Sequence, residues 1–450
     1  MKPNILFLVI DSLRSDKCYG NEKTSITPNL DSLRNNGIYF EQAISSVAST
    51  GIAMSSIFTG LFPFKIGMSG NNYNVLDSNL SNFIKIFKDS GYIASATAPE
   101  IASDFGLICD FENPDMSYNN YFSLFDGLGE QIIEKLSSES FKEPWFFYIH
   151  LNDLHNPISV PDKFSDKKFG KSKYEQQMSA IDVWIGKIIE KIDLKKTLVI
   201  LTSDHGEYIP IIKTETKIIN LESSTTEANL WKLGNKVPAN LYPIKKKIGN
   251  ILRNTREKIK SSKIDDMSLT TYQKRVLLES RMGTGHRSFD DLLHVPLIFS
   301  GFNIPNGKII SQQVRHVDIF PTVLEIISLK FKNNIDGISL FPLMMGKELE
   351  ELPASIENPP TVKEKFTKSI GVRTSNYKYI RDVDNSKIVY ELYDLKNDPL
   401  EEKNIIYKEP DIATKMEDIL LKIRQTSRSN DIDDEKNEIV RENLRKLGYI

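Results

Sequence analysis

The chain has 450 residues, 40% hydrophobic and 26% charged, enough for two or three domain-sized units with cores of their own. That composition excludes collagen-like, coiled-coil and wholly disordered chains. Lys+Arg 58 against Asp+Glu 60, a formal charge of -2, excludes a protein held to nucleic acid mainly by neutralising its phosphates.

The first apolar run, residues 5–10, ends at Asp11. It is far shorter than the roughly 20 residues that cross a bilayer. Asp-Ser-Leu-Arg follows it, not a small-residue cleavage site. It reads as a buried strand of a cytoplasmic protein. Residues 93–98, 145–150, 197–202 and 295–300 are likewise short, apolar and rich in β-branched or aromatic side chains, the pattern of strands covered on both faces. Between them, residues 27–36, 80–90, 127–137 and 174–192 carry amphipathic helical patterns. Alternating strands and helices predict a mostly parallel α/β sheet. Ligands of such sheets bind beyond the carboxyl ends of the strands, so chemistry is sought at Asp11, at His150 to His155 and at Asp204-His205.

Residues 208–280 break the rhythm. They hold about 14 Lys/Arg against about seven Asp/Glu, which predicts a basic, helical insertion. Solvation alone accounts for such a face. A lid or docking arm for an acidic surface, including peripheral contact with a membrane, is the alternative. Past residue 360, residues 377–381 and 388–393 read as two antiparallel strands and 411–423 as an amphipathic helix, ahead of a charged stretch at 428–438. The expected division is 1–355 for a catalytic unit and 356–450 for a C-terminal subdomain and tail. Two cysteines, Cys18 and Cys109, make no disulfide framework.

Several residue groups have the chemistry of a site. Asp11 ends a buried strand, where a carboxylate is costly unless paired or bound to a cation; a helix cap is the alternative. Ser203-Asp204-His205-Gly206-Glu207 offers carboxylate and imidazole together, which suits a divalent cation, or simply a capped turn. Thr50, in Ser49-Thr50-Gly51, precedes an apolar run. It reads as a helix cap or as a hydroxyl whose neighbouring amides receive anionic oxygens. His150, Asp153 and His155 follow another strand and suit a metal, a substrate or a structural loop. His286 could meet an oxyanion or protonate a leaving group.

The order and flanks of these groups resemble the sulfatase fold of the alkaline phosphatase superfamily. Residues carrying the resemblance include Pro3-Asn-Ile-Leu-Phe-Leu-Val-Ile-Asp11-Ser-Leu-Arg14, Thr59-Gly-Leu-Phe-Pro63, Ser203-Asp-His-Gly-Glu207, Leu293-His-Val-Pro-Leu-Ile298 and Val317-Asp-Ile-Phe-Pro-Thr322. The resemblance covers nearly the whole chain except the insertion. It implies an α/β/α sandwich with a smaller C-terminal α+β subdomain. It places Asp11, Thr50, Asp204 and His205 on a divalent metal (Ca, Mn, Mg or Zn). It assigns catalysis to Thr50, His155 and His286, and substrate contact to Arg14, His150 and Asp153. Departures from the family pattern shift the expected chemistry. Sulfatases build formylglycine from Cys or Ser in a Cys/Ser-x-Pro-x-Arg context, whereas this chain reads Thr50-Gly-Ile-Ala-Met54, so no formylglycine is expected. Only one Asp follows the first strand, and no Lys follows the strand after Gly91-Tyr92. These departures point to a threonine-nucleophile branch that transfers phosphoryl groups from phosphate esters, as phosphodiesterases and head-group transferases do. A sulfuric-ester hydrolase without formylglycine, or a non-catalytic binder of anionic glycans or lipid head groups, are the alternatives. The expected partner is an anionic ester, glycan- or lipid-linked.

Overall fold

The computed structural model describes residues 2–67, 75–77, 79–115, 123–138, 141–214, 217–222, 255, 258, 261–262, 264, 267–278, 288–331, 334–358, 369–383 and 389–425. His286, the lysine run at 245–247 and the stretch 428–438 lie outside the described residues.

Among the described residues ten strands precede the C-terminal subdomain: β1 (Asn4–Ile10), β2 (Gly37–Ile44), β3 (Ile93–Thr97), β4 (Asn113–Asp115), β5 (Trp145–Leu151), β6 (Thr197–Thr202), β7 (Ile211–Lys213), β8 (Ile218–Asn220), β9 (His294–Gly301) and β10 (Lys308–Arg315). Eight form one sheet in the order β10-β2-β9-β6-β1-β5-β3-β4. Its pairings are parallel except those of β9 with β2 and β6. β9 therefore runs against the other seven, an exception to the parallel sheet expected from the sequence.

Alternation along β1 divides the core. Ile5, Phe7 and Val9 enter one apolar layer with Ile52, Phe58, Phe83 and Phe320. Leu6, Leu8 and Ile10 enter the other, with Leu30, Ile132, Tyr174 and Trp184. Successive side chains of a strand point to opposite faces, so a strand apolar at every position must be covered twice. Helices Thr50–Thr59, Phe83–Asp89 and Ile319–Ile326 cover the first face, and Pro28–Asn35, Gly129–Ser137 and Lys173–Ile189 the second. This is the three-layer α/β sandwich that the resemblance implied.

The C-terminal sheet is antiparallel: β11 (Ala354–Glu357), β12 (Ser369–Arg373), β13 (Tyr377–Asp382) and β14 (Val389–Asp394). Helix Pro410–Arg424 packs Met416 and Leu420 onto Ile370, Val372, Tyr379 and Leu392. This sheet is stitched to the main domain just ahead of Thr50. Glu357 N–H donates to the Ser46 carbonyl at 2.8 Å, and Val47 bridges Glu357.

The described residues of the insertion include both strand and helix. The insertion opens with the antiparallel hairpin β7–β8, whose Ile212 and Ile219 pack with Leu221, Val276 and Leu277, and its last described helix is Thr271–Leu278. Paired β-branched isoleucines explain the strands. Among the described residues no helix is long and apolar enough to cross a membrane. Cys18 is buried and Cys109 exposed, and both thiols are free.

Candidate active site

The three central strands β6, β1 and β5 are adjacent and parallel, with Val9 level with Thr202 on one side and His150 on the other. Residues leaving their carboxyl ends must therefore converge. Asp11, Asp204 and His205 do: one donor atom from each lies within 4.8 Å of the others, and all three are buried.

Local hydrogen bonds fix this arrangement. Ser12 takes a left-handed backbone, φ 67°, uncommon for a residue with a Cβ and a mark of a constrained turn. Its N–H donates to Asp204 Oδ1 at 3.2 Å and its hydroxyl to Asp11 Oδ1 at 2.6 Å. Leu13 N–H donates to Ser203 Oγ at 2.9 Å, and that hydroxyl donates to the His205 carbonyl at 2.6 Å. The loops after β1 and β6 are thus tied to each other.

His205 Nδ1 lies 2.8 Å from the Gly206 carbonyl, so Nδ1 carries the proton and donates. The lone pair is left on Nε2, which lies 3.3 Å from Asp204 Oδ2 and 3.9 Å from Asp11 Oδ1. An imidazole locked in this way is a prepared metal ligand. Asp204 Oδ2 is buried with no hydrogen-bond partner, a costly state for a carboxylate oxygen that a cation would relieve. Two carboxylates and one imidazole fit a divalent ion of borderline hardness.

Thr50 begins helix Thr50–Thr59. Its Oγ1 lies 3.4 Å from Asp11 Oδ2 and 3.5 Å from His205 Nε2, so it reaches the same point. The helix places its positive end there. Gly51 is required for the approach, because a Cβ on it would fall 2.3 Å from the Phe105 ring. His150, fully buried on β5, has Nδ1 2.6 Å from the Tyr148 hydroxyl and Nε2 3.7 Å from Asp11 Oδ2. His155 is half-buried, with Nδ1 2.8 Å from the Asn156 carbonyl.

Two expected substrate contacts have other partners. The Arg14 guanidinium donates to Asp16 at 2.8 and 3.0 Å and pairs with Asp291 at 2.7 Å. The buried Asp291 and the partly exposed Asp16 thus engage both sides of its fork. Asp153 accepts from Ser123 Oγ at 2.6 Å and from Leu124 N–H at 3.1 Å. It caps the start of the helical segment Leu124–Leu128, and burial pushes its carboxyl up to about 6.

Sequence reasoning missed the residues that knit the loops. Tyr174 hydroxyl donates to the Ser12 carbonyl at 2.7 Å and accepts from Arg14 N–H at 2.9 Å. Its aromatic ring made it look like ordinary core. Asp290-Asp291 and His316 were missed too. His316 is fully buried near Asp204 and His205, and burial lowers its imidazole to about 4. An acidic pair abutting a buried strand was the available signal for the first. The His-Val-Asp turn after β10 had none.

Comparison with known proteins decides the family. A sulfatase family model matches residues 3–329, and a model described as N-sulphoglucosamine sulphohydrolase, C-terminal, matches residues 286–428. The chain belongs to the sulfatase family. Arylsulfatase K of Mus musculus is 22% identical over 94% of this chain and 79% of its own. An ulvan-active sulfatase of Formosa agariphila is 22% identical over 90% and 76%. A solved 2-O GAG sulfatase superimposes with a TM-score of 0.67 at 17% identity, covering 97% of this chain and 96% of that one. These findings overturn the placement in a threonine-nucleophile branch acting on phosphate esters, because both family models and the curated relatives are sulfatases. The missing Cys, Pro and Arg around position 50 were read as a change of branch. They are local departures within a chain that otherwise matches sulfatases along its length.

Proposed function

We propose that this sulfatase-family chain is a metal-dependent hydrolase of sulfate esters carried on anionic glycans. The observation that carries the reading is the convergence of Asp11, Asp204 and His205 at the carboxyl edge of three adjacent parallel strands. Those three residues would hold a divalent cation, which supplies Lewis-acid stabilisation of charge developing on the ester oxygens. The Thr50 hydroxyl and the first amides of its helix would meet the anionic sulfuryl group. Thr50 is taken as encoded, which peptide mass spectrometry across it checks. His155 and His150 are assigned to the charged end of the substrate. His286 is assigned to protonating the leaving oxygen, so His286→Ala should hurt poor leaving groups most. Similarity to an ulvan-active sulfatase and to a 2-O GAG sulfatase supports a sulfated glycan as substrate.

The test is a comparison of p-nitrophenyl sulfate, p-nitrophenyl phosphate and sulfated oligosaccharides with metal-reconstituted protein. Sulfate release should exceed phosphate release in kcat/KM, stop on chelation and return on adding metal. Thr50→Ala should lower it by about a hundredfold or more. Sulfate release that survives both chelation and Thr50→Ala would overturn the reading.

A further inference from the structure

Asp291 lies upstream of β9, some eighty residues beyond the metal cluster in sequence, yet it touches both ligand-bearing loops. Its Oδ1 pairs with Arg14 Nη1 at 2.7 Å, with both side chains under a tenth exposed. Arg14 stands three residues past Asp11, and the same Nη1 donates to the Glu207 carbonyl at 3.3 Å, two residues past His205. Backbone contacts complete the contact. Gly206 N–H donates to the Leu292 carbonyl at 2.7 Å. A Cβ on Gly206 would fall 2.1 Å from the Asp291 carbonyl oxygen, so the loop after β6 is pressed directly against residue 291. Two further groups reach the same carboxylate. Arg275 Nη2 lies 3.5 Å from Oδ2, and the Tyr272 hydroxyl donates to Oδ1 at 3.4 Å. Both belong to helix Thr271–Leu278, at the close of the insertion. Arg275 also donates to the carbonyls of Leu400 at 2.7 Å and Glu401 at 3.1 Å.

We infer that the buried Arg14–Asp291 pair is a positioning clamp for the metal centre, holding the loops after β1 and β6 at a fixed separation, and that the insertion's closing helix supports it through Arg275 and Tyr272. The inference rests on the metal reading above. The physical reason is charge. Asp11 and Asp204 repel one another when no cation lies between them, so loops free to spread would do so. Each spread state must be closed again at a cost in affinity. A pair that keeps the loops together lowers that cost, as outer partners of metal ligands do elsewhere. Asp291 and Arg14 are positioning residues, since neither belongs to the donor set.

The test uses full-length, EDTA-stripped protein titrated calorimetrically with Ca²⁺ and with Mn²⁺, well below the melting temperature. Asp291→Asn should weaken cation binding by about tenfold. Combined with Arg14→Gln it should weaken binding by less than the product of the two single effects, because both break one clamp. Arg381→Gln is the control. It breaks the 2.8 Å pair with Glu417 inside the C-terminal subdomain, and should lower the melting temperature while leaving cation affinity unchanged. If Asp291→Asn does not fold, Tyr272→Phe and Arg275→Lys test the same clamp from its outer side, with smaller losses in the same direction. Wild-type affinity in all clamp variants overturns the inference, as does equal weakening by Arg381→Gln. Wild-type protein that takes up neither cation overturns the metal reading and the inference with it.

Discussion

Two buried groups of charges lie side by side in this molecule, and they are built on opposite terms. Around Asp290 and Asp291 every acid meets a base. Asp290 pairs with Arg373 at 2.8 Å and Lys378 at 2.5 Å, Glu401 with Lys378 at 2.6 Å, and Asp291 with Arg14 at 2.7 Å. Burial alone would raise the Asp290 carboxyl, but Arg373 and Lys378 overcome it and hold that group well below the usual carboxylate range. At the ends of β1 and β6, by contrast, Asp11 and Asp204 converge with an imidazole whose lone pair faces them, and Asp204 Oδ2 has no hydrogen-bond partner. Both groups are buried, so burial does not separate structure from function here. Balance does: a matched cluster cements two domains, and a mismatched one is completed by something that binds.

The matched cluster should break with the larger loss of stability. Lys378→Met leaves Glu401 buried without its cation and Asp290 with half of its own. About 3–5 kcal/mol of unfolding free energy should go, measured by urea denaturation. A loss below about 1 kcal/mol would mean that the pairing is not what holds the seam.

The mismatched cluster should behave the other way. Asp204→Asn keeps an acceptor for the Ser12 and His205 N–H groups but removes one of two repelling charges. The metal-free variant should melt no lower than metal-free wild type. Turnover of sulfate ester should fall by about a hundredfold or more. The stabilisation that wild type gains from cation, about 2.7 kcal/mol at a hundred times Kd, should vanish. A metal-free variant that is clearly less stable would make Asp204 a structural residue and collapse the contrast.

Glu357 sharpens the comparison because it belongs to neither group. Burial pushes its carboxyl from 4.5 up to about 7, even with Arg424 3.4 Å away. The folded state then holds a proton that the unfolded chain has released. Its contribution is present in full below pH 4.5 and lost as pH rises through about 7. Glu357→Gln mimics the protonated form and should stabilise the protein at pH 8 by about 1–3 kcal/mol. Urea midpoints from pH 5 to 8 should flatten accordingly. An unchanged slope would show that Arg424 satisfies the ionised group.

Much of this was legible in the sequence because buried strands advertise themselves. The runs at 5–10, 145–150 and 197–202 are almost wholly apolar, broken only by His150, Thr197 and Thr202, and the residues that follow the first and the last supply the metal cluster. β2 and β10 were not visible. Glu41, Gln42, Gln312 and Gln313 interrupt them, and β10 is an edge strand with Ile309 exposed, so its pattern is weak. Roles were less legible than positions. Arg14 and Asp153 stand beside the site in sequence, yet their partners, Asp291 and Ser123, come from segments whose proximity only the fold reveals. The branch assignment failed for a related reason. A few substitutions around Thr50 outweighed a match running from residue 3 to residue 428.

The reversed direction of β9 has a consequence for how the chain tolerates growth. Because β9 opposes its neighbours, its beginning and not its end reaches the catalytic edge. The chain leaves that edge after β6 and returns to it at β9, where Gly206 N–H meets the Leu292 carbonyl at 2.7 Å, so it departs and re-enters at nearly one place. Nothing in the register of the sheet constrains the length of such a detour, and each doubling of a flexible loop costs only about 0.6 kcal/mol in closure entropy. The edge thus works as a grafting port, where an inserted segment can be lengthened, trimmed or exchanged while the strands beneath keep their pairing.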